Sequence, residues 1–167
     1  MNYKEVKGDL IKLAQEGNFN VIVHGVNCFS KMGAGIAPQM AKAFGCDKFP
    51  RELEHPGNIE KLGNIDYAYI LGEYSSTGEI PDEDYLYVVN AYTQYKYGRN
   101  HTDGEHMPFD YEAFTLCMRK INHRFKGRHI GLPQIGAGLA GGDWNKIKKI
   151  IQEELSECDV TVVIYDK

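Results

Sequence analysis

Two β-rich runs in this chain each empty into a glycine-containing turn and then into a helix-patterned stretch, and this repeated logic narrows the folds open to it. In the first, Asn20 to Val26 leads through Asn27 and Gly33-Ala34-Gly35 into a stripe of Ile36, Met40, Ala43 and Phe44 at helical spacing. Pro38 is tolerated there because it falls in the first turn, and Gly45 predicts the stop. In the second, His129 to Leu132 leads through Pro133-Gln134-Ile135-Gly136-Ala137-Gly138-Leu139 into a stripe of Ile147, Ile150, Ile151 and Leu155. Asp143 stands where a side chain can accept hydrogen bonds from first-turn amides, so it reads as an N-cap rather than a catalytic group.

Four further runs have strand composition: Tyr3 to Val6, Tyr67 to Leu71, Tyr85 to Ala91 and Val160 to Tyr165. A longer helix is predicted by Tyr111, Phe114, Met118, Ile121 and Phe125, spaced three, four, three and four apart, with Gly127 following as a C-terminal cap. About six strands alternating with helices imply an α/β layered fold with a largely parallel sheet, because a parallel crossover requires a helix-sized connection. Binding loops are then expected at the carboxyl ends of the strands. Tyr95 to Pro108 lacks periodicity and reads as a long surface loop.

The 167 residues fit one domain, 1–167, and no internal repeat or linker interrupts them. A formal charge of -4 argues against sequence-blind binding to a nucleic-acid backbone, which needs many Lys and Arg, and nothing suggests sequence-specific nucleic-acid recognition. A ligand carrying only a diphosphate remains compatible. Cys28, Cys46, Cys117 and Cys158 lie far apart without metal-ligand spacing and read as buried free thiols in a reducing compartment. The start Met-Asn-Tyr-Lys lacks a signal peptide's apolar core, and no run approaches the roughly 18 apolar residues of a membrane span. A cytoplasmic location, with no membrane partner, is the expectation.

Glycine lets backbone amides approach phosphate oxygens, and a helix N-terminus adds partial positive charge, so two such loops can face a diphosphate from either side. Neither loop is a nucleotide P-loop, since no Gly-Lys-Ser/Thr follows, and neither completes Gly-x-Gly-x-x-Gly at the first strand. His101, Asp103, Glu105 and His106 have no recognisable ligand spacing and read as solvated loop residues; no metal and no cofactor are expected. Asp82, Glu83 and Asp84 read as a charged turn. Trp144 is read as packing at the start of the last helix or as a pocket wall, and Tyr92, Tyr95 and Tyr97 as covering the sheet or lining a cleft.

Four segments together resemble the macro domain family over nearly the whole chain. Val6-Lys7-Gly8-Asp9-Leu10 is similar to the family's opening signature, and the resemblance implies that Asp9 contacts an adenine amino group. Asn27 falls where the family places an Asn against the distal ribose, ahead of Gly33-Ala34-Gly35-Ile36. Pro133 leads into Ile135-Gly136-Ala137-Gly138-Leu139, which resembles the diphosphate loop. Val163-Ile164-Tyr165-Asp166 resembles a terminal strand that sets an aromatic beside the nucleoside; Tyr165 as simple sheet packing is the other reading. The resemblance implies a three-layer fold with a mixed, mostly parallel sheet flanked by helices.

His24-x-x-Asn27-Cys28 followed by glycines resembles the branch of ADP-ribose 1''-phosphate phosphatases, which implies His24 and Asn27 as catalytic residues. The alternative for His24 is a hydrogen-bonded core histidine on an apolar strand. Lys31 to Ala37 also resembles terminal ADP-ribose protein glycohydrolases, yet Gln94 and Ala140 stand where those enzymes carry a catalytic Lys and Asp. An amide and a methyl group supply neither an amine nucleophile nor a carboxylate acid. The implied partners are ADP-ribose or ADP-ribose 1''-phosphate, and ADP-ribosylated macromolecules. Three functions remain open: phosphatase, non-catalytic reader, and glycohydrolase with a different residue set.

Overall fold

Near-continuous burial along the Val- and Ile-rich segments marks strands that need cover on both faces, and the intervening amphipathic stretches supply it. A computed structural model describes residues 2–32, 35–49, 57–71, 85–95, 108–138 and 140–165. The elements run β1 (Tyr3–Gly8), α1 (Leu10–Gln15), β2 (Val21–Asn27), α2 (Ala37–Phe44), β3 (Ile65–Leu71), β4 (Tyr85–Gln94), α3 (Tyr111–Arg124), β5 (His129–Leu132), α4 (Trp144–Glu154) and β6 (Asp159–Tyr165), with 3-10 turns at Cys46–Lys48 and Ile59–Lys61. The expected Tyr97 and the polar groups at 82–84 and 101–106 lie outside the described residues, as does most of the expected 95–108 loop.

The strands form one six-stranded sheet in the order β1-β6-β5-β2-β4-β3. All neighbouring pairs are parallel except β3 with β4, so the sheet is mixed and mostly parallel. Parallel register sets Val6 beside Val163 and Val23 beside Val89. Period-two alternation then sends Val21 and Val23 to one face, against Phe114, Met118, Ile121, Ile147 and Ile151 of α3 and α4. Ile22 goes to the other face, against Leu10 of α1 and Met40 of α2. The result is helix, sheet, helix.

Helix ends follow local chemistry. Asp110 Oδ1 accepts from Ala113 N at 3.0 Å to open α3, and Asp143 Oδ1 accepts from Asn145 N at 3.0 Å to open α4, so Asp143 is indeed a cap. Gly45 closes α2 in the left-handed region, φ 67°, where a side chain would be strained. The helix α1 was not foreseen from spacing. Its six residues are too few to show a period, and it is set by the Asp9 cap and by burial of Leu10 and Ala14. All four cysteines are free and buried. Trp144 packs half-buried against the core of the α3 and α4 layer. No helix among the described residues is long and apolar enough to cross a membrane.

Candidate functional site

The parallel strands β1, β5 and β6 all release their chains at the same sheet edge, and a cavity of about 780 Å³ opens there between α1 and α2. That volume is in the range of small-molecule pockets, roughly 300 to 1,000 Å³. Six of the residues expected from sequence meet in it: Asp9, Leu10, Gly35, Ile36, Pro133 and Tyr165. The floor is apolar, from Leu10, Ile36, Pro133 and Val163, while polar side chains come from the two helices. Tyr165 is 69% exposed and edges the cavity, which removes the sheet-packing alternative for its side chain.

Asp9 is exposed at the start of α1, and its Oδ1 accepts from Lys12 N at 3.2 Å. One carboxylate oxygen thus holds the helix turn, and the residue also faces the cavity. Lys12 and Gln15 of α1, and Gln39 and Lys42 of α2, are cavity residues that spacing alone did not single out. Each pair sits three positions apart on its helix, a spacing that sequence shows only once both helices are known to face one space. With its amide turned to match its neighbours, Gln39 donates to Gly35 O at 2.9 Å and Ile36 O at 3.1 Å, tying α2 to the preceding loop.

Other expected residues take different places. Gly33, Ala34 and Leu139 lie outside the described residues. Ile135, 5% exposed, turns into the α3 and α4 core and anchors the second loop there rather than lining the cavity. Gly136 has φ 78°, and a Cβ on it would come within 2.5 Å of the Phe109 ring. Its carbonyl accepts from Gly142 N at 2.7 Å, closing the loop on itself. Ala137 N donates to Gln134 O at 3.3 Å, and Gly138 is exposed with open space beside it. None of these four lines the cavity; Pro133 and Gln134 do.

Both catalytic expectations require correction. His24 is 0% exposed, with Nε2 2.7 Å from Asn90 Oδ1 and 3.5 Å from Cys46 Sγ, so it is a core histidine and does not line the cavity. Burial pushes it from its ordinary 6.5 down to about 4, against the opposing effect of its hydrogen bond to Asn90 Oδ1. A ring both sealed and neutral does not relay protons to a ligand. Asn27 is 6% exposed, and its side chain is engaged by the chain that follows it. Its Nδ2 donates to Lys31 O at 2.8 Å, while its Oδ1 accepts from Phe29 N and Lys31 N, each at 3.1 Å. Asn27 therefore shapes the first loop. Within that turn Ser30 adopts φ 55°, and its buried Oγ has no hydrogen-bond partner.

Tyr92 and Tyr95 do not line the cavity. Tyr92 is buried, and its hydroxyl donates to the Asp66 carboxylate, while the Tyr95 hydroxyl donates to Gly57 O at 2.7 Å. No group of three or more His, Cys, Asp or Glu among the described residues is arranged to hold a metal ion.

No protein-family model matches the chain. It is 32% identical over 170 residues to an uncharacterized 17.5 kDa protein in the tk-vs intergenic region of Enterobacteria phage T4, covering 99% of this chain and 98% of that one. It is also similar to the ADP-ribose glycohydrolase OARD1 of Bos taurus, 25% identical over 96% of this chain and 88% of the relative. An ADP-ribose 1''-phosphate phosphatase of Meyerozyma guilliermondii is 23% identical, covering 98% of each chain. Among solved structures, the macrodomain of Thermus aquaticus DarG superposes with TM-score 0.60 at 22% identity, over 99% of this chain and 98% of that one. Thermosipho africanus DarTG, solved in complex with ADP-ribose, superposes with TM-score 0.64 at 18% identity, over 99% of this chain and 41% of that one. Full-length sequence relatives, the shared six-stranded architecture and a cavity at the strands' carboxyl edge converge: the chain has the macro domain fold.

Proposed function

We propose that the chain binds ADP-ribose in the cavity between α1 and α2. The observation that carries this is the convergence of Asp9, Gly35, Pro133 and Tyr165 on one apolar-floored space at the strands' carboxyl ends. In this reading the nucleoside lies against Asp9, Leu10 and Tyr165, and the diphosphate runs toward the backbone at Gly35 and Ile36 ahead of α2 and toward Gln134 on the facing loop. Glycine there permits close approach of backbone N–H groups, and the start of α2 adds partial positive charge. Calorimetry with ADP-ribose, AMP and ribose 5-phosphate tests it. ADP-ribose is expected to bind tightest because it alone spans both ends, and equal affinity for AMP would remove the diphosphate and distal-ribose contacts from the reading.

A second reading adds turnover, the hydrolysis of ADP-ribose 1''-phosphate. Similarity to a phosphatase of that name over 98% of each chain favours it. The similarity to a glycohydrolase favours another hydrolysis, but Gln94 and Ala140 replace the amine and carboxylate that the glycohydrolase mechanism uses. In the phosphatase reaction water oxygen attacks phosphorus, the bond from phosphorus to the 1'' oxygen breaks, and the departing oxygen takes up a proton. Loop amides stabilise the charge on phosphate. His24 takes no direct part. Phosphate release measured with and without a chelator, beside release of ADP-ribose from ADP-ribosylated proteins, separates the possibilities: phosphate alone supports the phosphatase, ADP-ribose supports a glycohydrolase with other residues, and binding without either product makes the chain a reader.

A further inference from the structure

The cavity holds two separate features that attract anions, and a diphosphate accounts for one of them. The first is the backbone at Gly35 and Ile36 ahead of the start of α2. The second is a pair of lysines: Lys12 on the α1 wall and Lys42 on the α2 wall both line the cavity. Both are exposed, and neither ammonium has an ion-pair partner among the described residues. Among the described lining residues Asp9 is the sole carboxylate, and it already accepts from Lys12 N through one oxygen at 3.2 Å. Gln15 and Gln39 stand one turn from the two lysines and add neutral hydrogen-bonding groups to the same walls. Lys12 follows Asp9 within the first turn of α1, at the nucleoside end. Lys42 lies in the last turn of α2, about 10 Å along the helix from Gly35 at 1.5 Å per residue.

Resting on the ADP-ribose reading above, we infer that the ligand class this cavity prefers is ADP-ribose bearing a further phosphate on its adenosine ribose. The floor takes the base and the glycine loops take the diphosphate. An adenosine ribose held between them turns its hydroxyls toward the helices, and a phosphate there meets the two unpaired ammonium groups. Unmodified ADP-ribose leaves that cationic pair to water. Because both lysines are exposed, replacing them tests binding with little threat to the fold.

The experiment is calorimetry on the full chain with ADP-ribose and with ADP-ribose 2'-phosphate, at about 0.05 and 0.3 M salt, for wild type and for the Lys12→Gln, Lys42→Gln double variant. The expected result is roughly tenfold tighter binding of the 2'-phosphate than of plain ADP-ribose at low salt, the ratio shrinking at high salt and falling to about one in the double variant; reading the ratio cancels any general loss of anion affinity from removing the two lysines. Equal affinities for the two ligands in wild type overturn the inference, as does a preference that survives the double substitution. If ADP-ribose binds and the preference is missing, only this inference falls; if neither ligand binds, the underlying reading falls with it.

Discussion

The Nε2 of His24 lies 2.7 Å from the Oδ1 of Asn90, and the rest of Asn90 decides which atom holds the proton. The Asn90 amide nitrogen donates to Cys46 O at 2.9 Å and to Asp66 Oδ1 at 2.7 Å, so its oxygen is left to accept. Nε2 is therefore the protonated nitrogen, and Nδ1 is a buried acceptor without a partner. Charging this ring places an uncompensated cation in the core.

Acid sensitivity follows with a definite sign. The folded-state value near 4 lies below the ordinary 6.5, so the unfolded chain binds the proton first. The contribution is complete above about pH 6.5 and is lost as pH falls toward about 4, a span corresponding to about 3 kcal/mol at 1.36 kcal/mol per unit. Urea unfolding at several pH values between 7.5 and 4.5 should show stability falling more steeply for wild type than for His24→Gln. Parallel slopes would remove His24 from the acid response.

Gly136 and Gly138 should respond oppositely to alanine. At Gly136 the added Cβ meets the Phe109 ring at 2.5 Å in a left-handed backbone, so Gly136→Ala is expected to cost about 1 to 3 kcal/mol or more. At Gly138 nothing lies within 4 Å, and the melting temperature should stay near wild type. Thermal unfolding decides this.

Asn27→Ala removes three hydrogen bonds that hold the turn from Phe29 to Lys31. A stability loss of about 1 to 3 kcal/mol is expected, together with weaker ADP-ribose binding because the turn leads into the Gly33–Gly35 segment. Denaturant unfolding and calorimetry on the same preparation measure both. Unchanged affinity in a destabilised variant would confine Asn27 to the fold.

Asp9 has two separable tasks. Asn caps a helix about as well as Asp, whereas Ala costs typically about 1 kcal/mol, so Asp9→Asn should keep wild-type stability and Asp9→Ala should not. If the carboxylate also accepts from the adenine amino group, both variants lose ADP-ribose affinity. Full affinity in Asp9→Asn would leave the cap as the role of the carboxylate.

All six strands and the helices α2, α3 and α4 are legible from composition and spacing, because their apolar residues repeat with the period of the element that buries them. Two kinds of fact were not legible. The antiparallel turn of β3 against β4 depends on which edge a strand joins, and the pattern Tyr67 to Leu71 reads the same in either direction. The fate of His24 depended on Asn90 and Cys46, 66 and 22 positions away, so local sequence left catalysis and core packing both open. At the cavity, glycine and proline marked the loops, but Lys12, Gln15, Gln39 and Lys42 belong to it only through the packing of two helices.

The wall formed by α1 is only six residues long, and a segment of that size is not a stable helix by itself. Its order is borrowed from Leu10 and Ala14 against the sheet and from one aspartate. Capture of a ligand and local unfolding of this wall are therefore opposing equilibria on the same residues. A ligand that requires the closed wall suppresses its opening in proportion to saturation, so amide hydrogen exchange in α1 becomes an occupancy gauge for the cavity.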